Sequence, residues 1–381
     1  MTKVKFEDVA TRVNTREDRL NTSLLYYVGG EHIESNEMLV QGCGLIKGST
    51  IGPMFYCGFK KGDILLVSRN PHLRKASMVE FDGICSEKTF VLGTKDSKVL
   101  LQEFLALVMQ SDDFWNYCEE HKSGGVNYFL NWSTLAKYEF YLPSIQEQKE
   151  IADKVWSAYR LKESYKKLLV ATDEMVKSQF IEMFENVESY CKLEDLVSDT
   201  FPGEWGSEPI SENAIKVIRT TNFTNEGYLD LTDVVTRDIE PKKVVRKKLK
   251  QGDTILERSG GTKDNPVGRV VFFDEIGDYL PNNFTQVLRP KESVNPVYLF
   301  YALYNSYNLN KAAMRAMASQ TTGIQNLSMS DFMAKFIVLP SRNEQNKFEQ
   351  IYRQADKSKS VIQKALVYLN DIQSDELGKI A

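Results

Sequence analysis

At 381 residues, 42% hydrophobic and 26% charged, the chain has room for two or three domains with full cores and the make-up of a globular protein, not a disordered one. A net charge of -4 excludes a wholly basic protein that coats nucleic acid, while leaving room for local basic patches. The five cysteines (Cys43, Cys57, Cys85, Cys118, Cys191) contain no CxxC pair, so neither a disulfide framework nor a zinc ribbon is expected, and the thiols read as reduced and mostly packed.

The chain opens with MTKVKFEDVATRVNTRED, which lacks the apolar centre of a signal peptide, and no later run reaches the roughly 18 apolar residues of a membrane span. The expected compartment is the cytoplasm, with no membrane partner. Short β-like runs follow, DILLV at Asp63 to Val67 and TFVL at Thr89 to Leu92, punctuated by Gly, Asn and Pro. An apolar stretch from Leu100 to Tyr117 predicts a helix. Pro143 stops that segment, and Ser144 with Glu147 forms a capping box that opens a new helix. Along it Ile151, Val155, Ala158, Leu161, Tyr165, Leu168 and Met175 recur at three- and four-residue steps. No Pro or Gly interrupts Ser144 to Asn186, so this helix is expected to span roughly 60 Å at 1.5 Å per residue.

Everything then recurs. Lys5, Glu7 and Asp8 return as Lys192, Glu194 and Asp195 (shift 187), Gly62-Asp63 as Gly252-Asp253 (shift 190), and LPSIQEQ at Leu142 as LPSRNEQ at Leu339 (shift 197). The order is the same and the offset grows slowly, as loop insertions in a second copy would produce. Two units of about 190 residues far exceed the solenoid repeat of 20 to 50. The second copy has its own apolar run from Tyr298 to Asn305, its own capping box at Ser341 and Glu344, and a second stripe of Phe348, Tyr352, Ala355, Ile362, Ala365, Leu369 and Ile372. The expected class is α+β: two similar mixed α/β domains, 1-143 and 190-340, each followed by a long helix, 144-189 and 341-381. A pseudo-twofold axis between the copies would set the helices against each other as an antiparallel coiled coil.

Polar, aromatic and Gly-rich segments occupy equivalent places in both copies. GGEHI (29-33) aligns with RTTNF (219-223), VSRNPHLRK (67-75) with ERSGGTKDN (257-265), CSEKTF (85-90) with PNNFTQ (281-286), and KSGGVNYF (122-129) with SQTTGIQN (319-326). The frames match and the side chains differ. Arg, Asn, Gln, Ser and Thr read base edges, and amides of Gly-rich turns suit phosphates, so these loops are candidate DNA contacts. In copy one the candidates are Gly30, His32, Arg69, Asn70, Arg74, Lys75, Asn127 and Tyr128. In copy two they are Arg219, Thr220, Thr221, Asn222, Arg258, Ser259, Lys263, Asn282, Asn283, Thr321, Thr322 and Gln325, joined by Lys247 and Lys248. Those two lysines belong to KKVVRKKLK (242-250), with six basic residues in nine, which would hold phosphates.

Catalytic chemistry has little to work with. His32, His72 and His121 show no metal-ligand spacing, and GxxxxGK[ST], GxSxG and the Asn/Asp-Pro-Pro-aromatic tetrad of amino-methyltransferases are all missing.

Two such domains, each closed by an LPxxxEQ helix, resemble the specificity subunit of type I restriction-modification enzymes across essentially the whole chain. The residues carrying the resemblance are Leu142-Pro143 with Glu147-Gln148, Leu339-Pro340 with Glu344-Gln345, Phe180 to Phe184 (FIEMF) and Arg219 to Asn222. The resemblance implies a non-catalytic subunit whose two target recognition domains each read half of a bipartite double-stranded DNA sequence. Its helices would set the spacer and dock two modification (methyltransferase) subunits, alongside restriction subunits for translocation and cleavage. No cofactor is expected on this chain; S-adenosylmethionine, ATP and Mg belong to the partners. One departure is a second helix without a counterpart of Phe180 to Phe184, so its closing contact is expected to be shorter or completed by residues 1-21. Other readings are a specificity subunit of a stand-alone or type II-like methyltransferase-nuclease complex, a metal-dependent nuclease, and a protein-binding scaffold without DNA recognition.

Overall fold

The computed structural model describes residues 2-380 apart from Ser211, Asn213, Lys263, Thr322 and Gly323, and leaves out the side chains of Gln320 and Thr321. The chain forms two compact units, Met1–Leu168 with Val361–Ala381, and Leu169–Ser360.

In the first unit, strand Thr2–Lys5 pairs antiparallel with Glu139–Leu142. A single helical turn, Phe6–Val9, follows and drives the fully buried Phe6 into the core. An antiparallel sheet runs in the order Ala10–Arg12, Thr89–Thr94, Ile64–Val67, Ala76–Met78. A second sheet has the order Thr15–Arg16, Phe55–Phe59, Gly83–Ser86, Tyr26–Val28, Gly44–Leu45, with Tyr26–Val28 parallel to Gly83–Ser86. The helix expected from Leu100 to Tyr117 is two helices, Gln102–Val108 and Asp112–Glu120. Ser111 makes the break: its hydroxyl accepts from the Phe114 amide at 3.3 Å and caps the second helix. Phe104, Leu105, Phe114 and Trp115 from this pair fill the core.

The second unit repeats the plan. Tyr190–Lys192 pairs with Phe336–Val338, and the antiparallel sheet runs Val197–Pro202, Thr285–Pro290, Thr254–Glu257, Val270–Phe272. Ile215–Ile218 lies between Val235–Arg237 and, in parallel, Tyr279–Pro281. Here Asn295 caps one continuous helix, Pro296–Leu309, accepting from the amides of Val297 and Tyr298. A further sheet, Ser259–Gly260, Ile324–Leu327, Ala318–Thr321, stands where the first unit has only the isolated bridges Arg69 to Phe129 and Ser123 to Phe129.

The recurring Gly-Asp pair has a local cause. Gly62 (φ +95°) and Gly252 (φ +93°) each occupy the third place of a tight turn that side chains with a Cβ rarely adopt. The following aspartate accepts the amide three residues back at 2.8 Å, Asp63 from Lys60 and Asp253 from Lys250.

The long helices are Ile145–Phe184 and Arg342–Leu377. Both capping boxes form: Ser144 and Ser341 amides donate to Glu147 and Glu344 at 2.9 Å, and the glutamate amides return a bond to the serine hydroxyls at 3.4 Å. The motif glutamine next in line is buried in both copies. Gln148 donates to the carbonyls of Pro143 and Val99 and accepts from Leu101, and Gln345 donates to Pro340 and accepts from Asn295. Each glutamine therefore fixes a helix start to the domain before it.

Within each unit the opening part of one long helix packs with the closing part of the other. In the first, Lys154 meets Glu376 at 2.5 Å and Lys162 meets Gln373 at 2.9 Å, so the two segments run antiparallel. In the second, Lys359, the equivalent of Lys162 under the 197-residue shift, meets Asp173 at 2.5 Å. The stripe of the second helix is largely buried as expected, whereas Leu161, Leu168 and Met175 of the first are exposed; Ala152, Trp156 and Tyr159 take the core positions instead. The closing contact is also present. Leu377 and Ile380 stand at the places of Phe180 and Met183 and pack into the first unit's core, as those residues do in the second.

Candidate nucleic-acid interface

In the first unit, strand Tyr26–Val28 delivers a 3-10 turn, Gly30–His32. His32 closes that turn with its own ring, Nδ1 accepting from the Gly29 amide at 3.0 Å, while the ring makes a T-shaped contact with Tyr27. The loop after Ile64–Val67 reaches back, and Lys75 Nζ donates to the Gly30 carbonyl at 2.7 Å. Asn70 and Arg74 adopt left-handed backbone (φ 51° and 49°), bracketing the turn Pro71–Leu73 and aiming Arg74 at Asp112, 2.5 Å away. The third loop joins through the Asn70 amide, which donates to the Tyr128 carbonyl at 2.9 Å, and through Arg69, stacked over Phe129 at 5.2 Å. Lys122 covers the Tyr128 ring at 4.3 Å, and Asn127 is exposed. Three segments far apart in sequence thus form one face.

The second unit builds the same face with different side chains. Asn222 replaces His32: its Oδ1 accepts from the Arg219 amide at 2.9 Å, and its amide group donates to the carbonyls of Asp230 and Asp233. Asn222 is buried, so it pins the turn, while Thr221 is exposed and Thr220 half-buried. Arg219 reaches the Asp233 carboxylate at 2.8 Å. The clamp equivalent to Lys75 is Arg269, a residue that the sequence patterns do not single out. Each cation immediately precedes the strand that pairs with Ile64–Val67 or Thr254–Glu257. Each also has its backbone carbonyl bonded to the matching amide, Val67 or Glu257. Arg269 donates to the Thr220 carbonyl at 3.3 Å, the counterpart of Gly30, and to Phe223 at 3.4 Å. Unlike Lys75 it is also held by a carboxylate: Nε and Nη2 meet Glu257, 2% exposed, at 2.8 and 3.0 Å. The 194-residue offset between Lys75 and Arg269 is the signal that could have found it, once strand starts are aligned.

The other segments converge on this frame. The amides of Arg258 and Ser259 both donate to the Phe284 carbonyl, joining the Gly-rich loop to Asn282-Asn283. Ser259 is buried with its hydroxyl on Asn326 Oδ1 at 2.7 Å, and Gln325 Oε1 accepts from the Val267 amide at 3.4 Å. Asn282 is buried and its amide donates to Ile218, whereas Asn283 is exposed and Arg258 half-buried. Lys263, Thr322 and the side chain of Thr321 lie outside the described residues.

Half of the basic run, three of its six cations, is occupied by intramolecular carboxylates. In helix Pro241–Lys247, Lys247 (13% exposed) and Lys243 both meet Glu204, at 2.5 and 3.3 Å, and Lys248 meets Asp278. Lys247 holds Glu204 below the usual carboxylate range. Closely spaced cations repel, and folding brings in acids from distant parts of the sequence to offset that. Lys242, Arg246 and Lys250 are exposed. No group of three His, Cys, Asp or Glu side chains among the described residues could hold a metal ion, and none of the described helices is long and apolar enough to cross a membrane.

Comparison with known proteins agrees with this duplication. The profile of the type I restriction modification DNA specificity domain matches the chain twice, over residues 27-169 and 200-366. Among solved structures, the type I restriction-modification system S subunit from M. genitalium shares the fold with TM-score 0.66 and 14% identity, covering 100% of this chain and 95% of that one. A chain solved to explain complex assembly and conformational transition of the type I R-M system shares it with TM-score 0.54 and 17% identity, covering 100% and 97%. No curated protein matches the chain.

Proposed function

The chain belongs to the type I restriction-modification DNA specificity family, and from that premise we propose that it is the non-catalytic subunit through which such a complex reads a bipartite DNA target, one half per unit. The observation that carries this is the duplicated clamp. In each unit a cation at the same strand position grips the same carbonyl of a 3-10 turn, while the exposed residues around the turn differ. A fixed frame with variable side chains is what two independent sequence readers require. The exposed or half-exposed Arg69, Asn127, Thr221, Arg258 and Asn283 are the proposed base readers, and Lys242, Arg246 and Lys250 supply phosphate contacts.

In this reading the long helices set the length of the unread spacer in the target, and their exposed positions, Leu161 and Leu168 among them, receive two modification subunits. Those partners carry S-adenosylmethionine chemistry and flip the target adenine, while restriction subunits use ATP and Mg. Exchanging residues 190-338 for the equivalent domain of a relative tests the reading. Sequencing of methylated sites should show one half of the target changed and the other retained; a change in both halves overturns independent reading.

A further inference from the structure

Cys57 and Cys85 face each other across adjacent antiparallel strands, as register partners between Phe55–Phe59 and Gly83–Ser86, at the regular side of a bulge between Phe55 and Cys57. Directly opposed residues in such a pair have Cα atoms about 4.5 or 5.5 Å apart, inside the span of about 4.4 to 6.8 Å that a disulfide bridges. Register partners project on one face of a sheet, so Arg16, Cys57, Cys85 and Val28 form a row across four strands. That row grades from solvent to core: Arg16 is exposed, Cys57 half-buried, and Cys85 and Val28 fully buried. This arrangement suits the attacking and resolving positions of a dithiol, one sulfur reachable from solvent near a cation and a second beside it. Electrostatics agree. The Cys85 thiol hydrogen-bonds Cys57 and, with Arg12 and Arg16, brings it down to about 7 against burial and Glu87, while the same bond and burial push Cys85 up.

We propose that Cys57 and Cys85 form a hydroperoxide-reactive dithiol. The Cys57 thiolate attacks one peroxide oxygen, the O–O bond breaks, and the other oxygen leaves as hydroxide or alkoxide, giving Cys57 sulfenic acid. Cys85 sulfur then attacks Cys57 sulfur, the sulfenic oxygen leaves as water with the Cys85 proton, and a cross-strand disulfide forms. Two thiols supply two electrons to one hydroperoxide, yielding the disulfide, one water and one alcohol, or a second water when hydrogen peroxide is used. The bond ties Phe55–Phe59 to Gly83–Ser86, whose other neighbour, Tyr26–Val28, leads into the Gly30–His32 turn.

The test treats the reduced full-length chain with hydrogen peroxide, blocks remaining thiols with N-ethylmaleimide, and maps non-reduced tryptic peptides by mass spectrometry. The expected result is loss of two of the five thiols and a peptide carrying Cys57 joined to one carrying Cys85. In the Cys85→Ser variant Cys57 should instead be captured by dimedone as the sulfenic acid, and Cys43→Ser should behave as wild type. Retention of both thiols in the wild-type chain while Cys43 oxidises overturns the proposal, as does a disulfide linking Cys57 to any cysteine other than Cys85. The wild-type map decides the matter even if a serine variant folds poorly.

Discussion

Arg269→Met and Lys75→Met delete the same clamp from the two units, and the structure gives them unequal costs. Lys75 makes one charged bond to a half-exposed carbonyl at 2.7 Å. Water can replace it, so the loss belongs at the low end for charged hydrogen bonds, about 1.5 kcal/mol. Arg269 neutralises Glu257, which is 2% exposed, and removing it strands a buried carboxylate at a cost of about 3 to 5 kcal/mol. Amide exchange measured by mass spectrometry reads both. The amides of Thr254–Glu257 should exchange faster by roughly two to three and a half powers of ten in Arg269→Met, and those of Ile64–Val67 by about one power in Lys75→Met. The double variant Arg269→Met with Glu257→Leu removes both charges and should regain most of the protection. In a reconstituted complex each single variant should relax discrimination only at the half-site read by its own unit. Equal acceleration in the two single variants, or a double variant as labile as Arg269→Met, would refute the reasoning that Glu257 is a buried charge dependent on Arg269.

Changing Lys242, Arg246 and Lys250 together to Gln should flatten the dependence of log K on log salt by about 0.9 for each phosphate no longer neutralised, and an unchanged slope places that face away from DNA. Gln148→Leu strands the Leu101 amide and the Val99 and Pro143 carbonyls, at a cost of about 2 to 4 kcal/mol, to be read as faster exchange at residues 99-101; wild-type exchange there would show that water replaces the glutamine. One heptad inserted after Leu168 and another after Ser360 leaves the pairs inside each unit intact and adds about 10 Å. The unread spacer in the methylated sequence should then grow by about three base pairs at 3.4 Å each; an unaltered spacer leaves the helices as docking elements only. Glu147 and Glu344 are held low by their capping serines, so the support they give the helix starts is present above the ordinary glutamate value of about 4.3 and is lost as pH falls through their lowered folded values. Exchange at residues 145-148 and 342-345 should accelerate over that acid range and not between pH 6 and 8.

What the sequence declares is whatever is set by near neighbours. The capping boxes, the Gly-Asp turns and the long helices depend on residues within one turn of each other, and the repeat shows each of them twice. Ser111 is also visible, but the apolar residues on both sides of it continue the helical pattern, and only the packing of Phe104 and Phe114 around the break shows why it is there. The candidate loops are legible as positions and much less as partners. Asn222 counts as a candidate base reader because asparagine can be one; its burial under Asp230 and Asp233 follows from the loop's path and not from its neighbours in sequence. The carboxylates that occupy Lys247 and Lys248 lie 43 and 30 residues away, and a charge run carries no trace of them.

The exchange of helix ends also orders the protein's assembly in time. The second unit is one continuous stretch, Leu169–Ser360, and has all its residues once Ser360 is made. The first cannot close until Leu377 and Ile380, which pack into its core, have been made. At about 5 to 20 residues per second, the roughly 190 residues separating Leu168 from Val361 impose a wait of about 10 to 40 s. During that interval the older half of the nascent chain holds its apolar floor open, so the half translated first is finished last and is the one exposed to chaperones and proteases.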